Sequence, residues 1–288
     1  MSYMKSVLKI FYRPPFIGVL AFLLVFISQG LGHTLWMLVS MIFGHDYQYL
    51  AAFILGFIGL FLLFVGMKKE NEVAATWLGY FAAVLMWTGW VEYSFHFYSD
   101  LSETEVRFFM QSTTGIMMVT LSYFFFNKET RCNFFKWFHR NLRLSTGKPT
   151  SGYKRNYAAI TAMETIYVMW FFYIILYLLY EFAGDRSPVT YTFFFFNSIW
   201  ALFLLFRLAK FWNVTRAVRY AIPTALIAFA SYEILLRWDI LSEIWLYPKE
   251  YVFELILISA AISFGILIAV FTPEGEKERL ARASNKNG

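Results

Sequence analysis

The sequence predicts an all-α, polytopic membrane protein with about eight transmembrane helices. Of its 288 residues, 59% are hydrophobic and only 15% are charged, whereas roughly a quarter of the residues in a soluble domain are charged. Long apolar segments also recur along the chain, each close to the roughly 17 to 25 residues that a helix needs to cross a bilayer. Lipid is therefore the expected solvent for most of the surface.

The apolar segments form two sets of four. Lys5, Lys9 and Arg13 precede the first segment and resemble the charged start of a secretory signal. The apolar run after them is too long for such a signal and no small-residue cleavage site follows it, so we expect a retained first helix. The eight predicted spans are 16–42, 50–67, 75–98, 106–127, 157–181, 190–208, 218–238 and 251–272.

The distribution of basic residues predicts that both ends of the chain are cytoplasmic. Lys and Arg in short loops are retained on the cytoplasmic side of a membrane, and the eight-span arrangement places 21 of the 25 basic residues on one side. The opposite side keeps Arg107, Arg186, Arg237 and Lys249 and collects eight acidic residues. We expect a multi-pass protein of the cell (inner) membrane.

A basic loop separates the two sets of spans. In this loop Phe134, Phe135, Trp137 and Phe138 alternate with basic residues, which is typical of an amphipathic segment on anionic headgroups. The expected partners are the lipid bilayer, anionic headgroups at residues 128–155 and other membrane proteins, but not nucleic acid. The predicted units are a first four-helix unit (1–130), the loop (131–156), a second four-helix unit (157–272) and a cytoplasmic tail (273–288).

The two sets of spans resemble each other at a shift of 140 residues, which predicts an internal duplication. Gly44 falls on Gly184, the tripeptide 101–103 (Leu-Ser-Glu) repeats at 241–243, and a slip of one residue places Glu92 on Glu233. Because each unit has an even number of spans, the two units would share one orientation. We expect two tandem four-helix bundles packed against each other.

Ionisable groups inside the predicted spans are the candidate site, because burying a charge in lipid is costly and usually serves a function. His33 lies in the first span, Glu92 and His96 lie one turn apart in the third, and Glu233 and Arg237 lie one turn apart in the seventh. All five fall toward the same side, which predicts an outward-facing polar pocket. Further candidates for this pocket are Tyr93, Tyr232 and the loop residues His45, Asp46, Asp100 and Asp239.

Two simpler interpretations of these residues remain open. Long charged side chains near a helix end can extend to water without forming a site. An acid with a cation four residues later can also serve helix packing alone.

Three functions fit this pattern. The first is transport or conduction of a small cation, proton or solute, in which a titratable His contributes to the pocket. The second is a metal-dependent or haem enzyme with a transition metal as its cofactor, since imidazole and carboxylate suit such ions. The third is a noncatalytic subunit of a larger membrane complex. The candidate ligands for the metal are His33, His45, Asp46, Glu92 and His96.

Other chemistries have little support in the sequence. The lone cysteine, Cys132, excludes an intramolecular disulfide and a multi-cysteine metal cluster. The pair Gly30 and Gly32 lies inside a span without a preceding strand, so it is no dinucleotide fingerprint. Soluble-type hydrolase and nucleotide-binding motifs are missing from the chain.

Overall fold

A computed structural model describes residues 13–127, 130, 133–144 and 155–271. The described residues contain no strand. The helices are α1 (Phe16–Met67), α2 (Glu72–Met86), the π-helical segment π1 (Trp87–Glu92), α3 (Tyr93–Ser102), α4 (Val106–Ser112), α5 (Thr114–Phe126), α6 (Asn133–Asn141), α7 (Tyr157–Leu178), the π-helical segment π2 (Leu179–Ala183), α8 (Pro188–Leu208), α9 (Val214–Arg237), a 3₁₀ turn (Ile244–Leu246) and α10 (Val252–Phe271).

In the part of the chain that the structure describes, five helical stretches are long and apolar enough to cross a membrane, which confirms the predicted all-helical architecture with several candidate membrane-spanning helices. Two shorter apolar helices, Thr114–Phe126 and Val252–Leu267, accompany them. The five long stretches are Phe16–Met67, Glu72–Ser102, Tyr157–Ala183, Pro188–Leu208 and Val214–Arg237.

Helix α1 breaks at Gly44, where φ is 65° and ψ is −177°. Only glycine adopts this conformation without strain, because it has no Cβ. Before the break, Ser28 contacts Tyr80 and Ser40 contacts Tyr93. The residue numbers of the contacting partners therefore increase together in the two segments. This part of α1 runs parallel to α2 and α3.

After Gly44 the order of contacts is reversed. A Cβ on Gly56 would overlap Trp90, and one on Gly59 would lie 2.9 Å from the carbonyl oxygen of Ala82. The second part of α1 therefore runs antiparallel to α2 and α3. The chain turns back on itself at Gly44, and α1 is a helical hairpin rather than one long rod.

The two ends of the helix bundle differ in charge. One end carries Lys68, Lys69 and Arg155 and is called the basic end below. The other carries Asp100 and Asp185 and is called the acidic end. The chain reverses at the acidic end after Gly44, Ser102 and Ala183, where the helices before these connections end.

The most buried helices come from both predicted units. Helix α2 lies beside α7, where Gly79 abuts the backbone of Ala158. The first part of α1 lies beside α9, where the rings of Phe26 and Phe229 meet edge to face at 5.5 Å. One hydrophobic core joins residues from Ile17 to Trp238. Residues of both predicted units therefore contribute to this core.

The predicted fourth span, 106–127, is interrupted at Thr113. Helix α4 ends there and α5 begins. The hydroxyl oxygen of Thr113 accepts a hydrogen bond of 2.9 Å from the indole of Trp170. Hydropathy alone does not predict this interruption, because every residue around it is compatible with a helix.

The segment between α9 and α10 folds back into the bundle. Trp245 is buried, its carbonyl oxygen accepts a hydrogen bond of 3.0 Å from Thr34, and its indole lies where a Cβ on Gly30 would be. The glycine in the first predicted span thus makes room for a tryptophan from a loop.

Helix α6 lies in the predicted basic loop. Phe134 and Phe135 are almost fully buried, and they pack on Phe124, Phe171 and neighbouring rings. These two aromatic residues contact protein, whereas the sequence predicted that they contact headgroups. Residues 145–154 of the loop and the tail from 272 lie outside the described residues.

Candidate functional site

The site is centred on His33, in the first part of α1. Its Nε2 lies 3.5 Å from Oε1 of Glu233 on α9 and 3.2 Å from the hydroxyl oxygen of Tyr173 on α7. The imidazole packs edge to face on Phe229, with ring centroids 6.0 Å apart. Three helices that are far apart in sequence therefore place an imidazole, a carboxylate and a phenol at one point.

Glu92 is the fourth group at this centre. It is the last residue of π1, and it lies close enough to His33 and Glu233 to interact electrostatically with both. The i→i+5 hydrogen bonding of a π-helical turn adds a residue to the turn and shifts the positions of the side chains around it. Segment π1 thus sets the angular position of Glu92 around its helix.

A cavity of about 420 Å³ adjoins this centre at the acidic end, between α7, α9 and the start of α4. Helix α7 and the segment π2 that follows it contribute a row of aromatic residues to its wall, at i, i+4 and i+7 spacing. These residues are Tyr173, Tyr177 and Tyr180, and Phe172 and Phe229 also line the cavity.

The charged residues of the cavity wall are Glu105, Arg107, Glu233, Arg237 and Glu243. Both arginines are held by carboxylates. Arg107 pairs with Glu105 and with Glu181, each at 2.6 Å.

Arg237 makes the second of these pairs. Its Nε donates a hydrogen bond of 2.9 Å to Asp185, and its guanidinium group lies over the ring of Tyr180, 5.4 Å from the centroid. The sequence places Glu233 four residues earlier on the same helix, within reach of Arg237. The structure instead pairs Arg237 with an acid from the loop after π2.

Among the described residues, three buried polar atoms of wall side chains have no hydrogen-bond partner: Oε1 of Glu233, the hydroxyl oxygen of Tyr180, and Nε of Arg107, which is held by its ion pair with Glu105. Leaving a buried polar atom unpaired costs about 1 to 3 kcal/mol.

The remaining residues predicted for the pocket lie away from its centre. The ring of His96 packs on Trp36, with centroids 5.0 Å apart. The hydroxyl of Tyr93 donates a hydrogen bond of 2.9 Å to the carbonyl of Trp36. The hydroxyl of Tyr232 accepts a bond of 3.0 Å from Trp245. All three stabilise packing between helices.

The predicted loop residues lie at the acidic end. His45 and Asp46 are exposed just after the break in α1, and Nδ1 of His45 lies 3.1 Å from the amide of Gln48. Asp100 accepts a hydrogen bond from Tyr49, and Asp239 adopts a left-handed φ of 59°. Within residues 13–127, 130, 133–144 and 155–271, no three His, Cys, Asp or Glu side chains form a group that could hold a metal ion.

A second cavity lies between the same two helices, nearer the basic end. Its volume of about 20 Å³ is enough for about one water. Glu164, Thr165 and Arg219 supply polar atoms to its wall, and Leu226 lines both this cavity and the larger one.

Sequence reasoning missed several of these residues. Tyr173, Tyr177 and Tyr180 lie within an aromatic run where no single ring stands out. The predicted duplication offered a signal, because a shift of 140 residues places His33 on Tyr173. The partners of Arg107 and Arg237 depend on tertiary contacts, which no local pattern encodes.

Comparison with models of protein families, with curated proteins and with solved structures finds no match to this chain.

Proposed function

We propose that this chain is a membrane transport protein that moves a small cation, proton or solute through the space between α7 and α9. One observation carries the proposal: two cavities lie between these helices, one toward each end of the bundle, and Leu226 lines both. A binding cavity closed from one side of the bundle by an apolar barrier is the arrangement expected in one state of an alternating-access cycle.

The proposed topology has eight crossings with both termini in the cytoplasm. The turn at Gly44 supports counting α1 as two crossings, and α4 with α5 supports one more. The basic end then faces the cytoplasm of a cell (inner) membrane, as the positive-inside rule requires.

We also propose that the chain is a tandem repeat. Gly44 and Gly184, which correspond at a shift of 140 residues, both have positive φ and both follow the first long helix of their unit. His33 and Tyr173, also 140 residues apart, meet at 3.2 Å. Corresponding residues become neighbours where they flank a pseudo-two-fold axis, which supports an axis through the site.

The barrier between the cavities is apolar. Val168 lines the smaller cavity and Met169 the larger one, and both are buried beside Leu226. An ion would have to shed its water to pass these side chains, so the structure represents a form that is closed toward the basic end.

Helix α9 contains a proline next to this barrier, and we propose that it acts as a hinge. Pro223 lies inside the helix and lines the smaller cavity. Proline has no N–H to donate to the carbonyl of residue i−4, which weakens the helix there and permits bending. Bending at Pro223 would move Leu226 relative to α7 while leaving the basic end of α9 in place.

Flux into proteoliposomes tests the proposal. Protons would be followed with a trapped pH dye, and K⁺ and phenethylammonium with labelled tracers. We expect saturable flux of at least one of them, reduced about tenfold or more by Glu233→Gln, since removing a charge from the site removes its main attraction for a cation.

The matched control is Glu70→Gln, the same chemical change at an exposed residue of the basic end. It should leave flux unchanged. If none of the three solutes crosses faster than in protein-free liposomes, the transport proposal is wrong and a subunit role becomes the better hypothesis.

A further inference from the structure

We infer that the ligand of the large cavity is a small organic cation, an ammonium group on an aromatic or alkyl body. The inference deepens the proposed function and rests on the same site. It follows from the balance of charge in the wall, from the rings that line it and from its size.

The charge balance favours a cation. Both guanidinium groups of the wall are already paired: Arg107 with two carboxylates and Arg237 with one. In the described part of the chain, Glu233 and Glu243 form no ion pair with Lys or Arg. The partner of Glu233 is His33, whose Nε2 lies 3.5 Å from Oε1, and Oε1 accepts no hydrogen bond from the described residues.

An anionic ligand fits this wall poorly. It would have to displace Glu105 and Glu181 from Arg107, or Asp185 from Arg237, and then lie beside Glu233. Unlike an anion, a cation would meet a carboxylate, Glu233, that forms no ion pair with Lys or Arg among the described residues. Placing like charges together in a partly buried site costs free energy, and opposite charges compensate for burial.

The rings of the wall favour an organic ammonium over a metal ion. Tyr173, Tyr177, Tyr180 and Phe229 surround the space beside Glu233. Aromatic faces attract ammonium and guanidinium groups within about 6 Å of the ring centroid. The ring of Tyr180 already makes this contact with Arg237, at 5.4 Å.

The cavity is also too large for a bare ion. Its volume is about 420 Å³, whereas one water occupies about 30 Å³ in the liquid. Pockets of roughly 300 to 1,000 Å³ with a few polar groups among apolar ones are typical of sites for small organic molecules. The carboxylate of Glu233 would fix the ammonium, and the rings would contact the body.

Calorimetric titration of the detergent-purified protein tests the ligand class with three probes of similar shape. The probes are phenethylammonium, neutral 2-phenylethanol and anionic phenylacetate. We expect saturable binding of phenethylammonium that is at least about tenfold tighter than that of the other two, since only it can pair with the carboxylates. Equal or tighter binding of phenylacetate would overturn the inference.

Two variants locate the binding. Glu233→Gln should weaken phenethylammonium about tenfold or more and leave 2-phenylethanol unchanged. Tyr177→Leu should weaken phenethylammonium severalfold, because it removes a ring face and keeps an apolar side chain. Glu70→Gln is the control that should bind normally. A normal size-exclusion profile establishes that each variant is folded, and Glu243→Gln replaces Glu233→Gln if that variant does not fold.

The outcomes separate this inference from the transport proposal. Binding of phenethylammonium without flux of any solute would support the ligand class and contradict transport. Flux of protons or K⁺ with no binding of phenethylammonium would support transport and overturn the ligand class. Phenethylammonium binding unaffected by Glu233→Gln would place the ligand elsewhere and overturn the inference.

Discussion

The two ends of the bundle are built differently. At the basic end, backbones touch directly: Gly79 of α2 abuts the carbonyl of Ala158, and Gly18 of α1 abuts that of Leu208. Small residues allow helices to approach this closely in membranes, where packing replaces the hydrophobic effect as the main attraction. The helices are therefore closed tightly at this end.

Toward the acidic end, two glycines of α1 instead face indole rings. Gly30 accommodates Trp245 and Gly56 accommodates Trp90. The large cavity and the charged residues also lie at this end, although the backbone of Gly89 still abuts the backbones of Ala52 and Gly56. We infer that close packing at the basic end holds the helices in fixed positions. The space between their side chains at the acidic end can then stay open as a cavity.

The largest effect is expected from adding a side chain where two backbones touch at the basic end. A Cβ on Gly79 would overlap backbone atoms of Ala158, which cannot rotate away. Gly79→Val should therefore cost about 3 kcal/mol or more and abolish most monodisperse protein in size-exclusion chromatography. Gly115→Val is the control, because nothing lies within 4 Å of a Cβ there. Equal recovery of the two variants would contradict the proposed role of the basic end.

The next largest effect is expected from removing a side chain from the barrier between the two cavities. Leu226→Ala would remove the side chain that lines both cavities, so we expect a severalfold increase in solute leak through proteoliposomes. Leu202→Ala is the matched control, since Leu202 is exposed on α8 with a relative accessibility of 53%. If both variants leak at the wild-type rate, the route between α7 and α9 is not the one that solutes follow.

The sequence predicted the helices well because hydropathy reports directly on which segments lie in lipid. It predicted a loop between the spans 16–42 and 50–67, and the chain does turn there, at Gly44. In the structure, however, helix continues directly up to both sides of this glycine. It did not predict π1 and π2, because a π-helical turn differs from an α-helical turn by one residue, and packing decides between them.

Hydropathy also made part of the site predictable. His33, Glu92 and Glu233 are conspicuous because ionisable groups are rare in apolar helices, and the structure brings all three to one centre. Their partners were not predictable. Spacing along one helix places Glu92 within reach of His96 and Glu233 within reach of Arg237. In the structure His96 packs on the ring of Trp36, and Arg237 pairs with Asp185 of a loop. Tertiary contacts decide which polar neighbours actually meet.

The smallest effect is expected at the mouth of the cavity. Asp185→Asn would break a pair whose side chains are 56% and 39% exposed, so the loss of stability should be below about 1 kcal/mol. It would also leave Arg237 as an uncompensated positive charge in the cavity wall. We therefore expect weaker binding of phenethylammonium, by about two- to threefold, in calorimetric titration at low salt, with the difference shrinking as salt screens the charge.

Asp46→Asn makes the same change at an exposed residue of the acidic end, away from the cavity wall, and should leave binding unchanged. The direction of the effect distinguishes the two uses that Arg237 could have. If Arg237 served to attract an anionic ligand, freeing it from Asp185 would improve the binding of phenylacetate. If its pair with Asp185 keeps the cavity negative, freeing it weakens the cation and leaves phenylacetate weak, because Glu233 and Glu243 still line the wall.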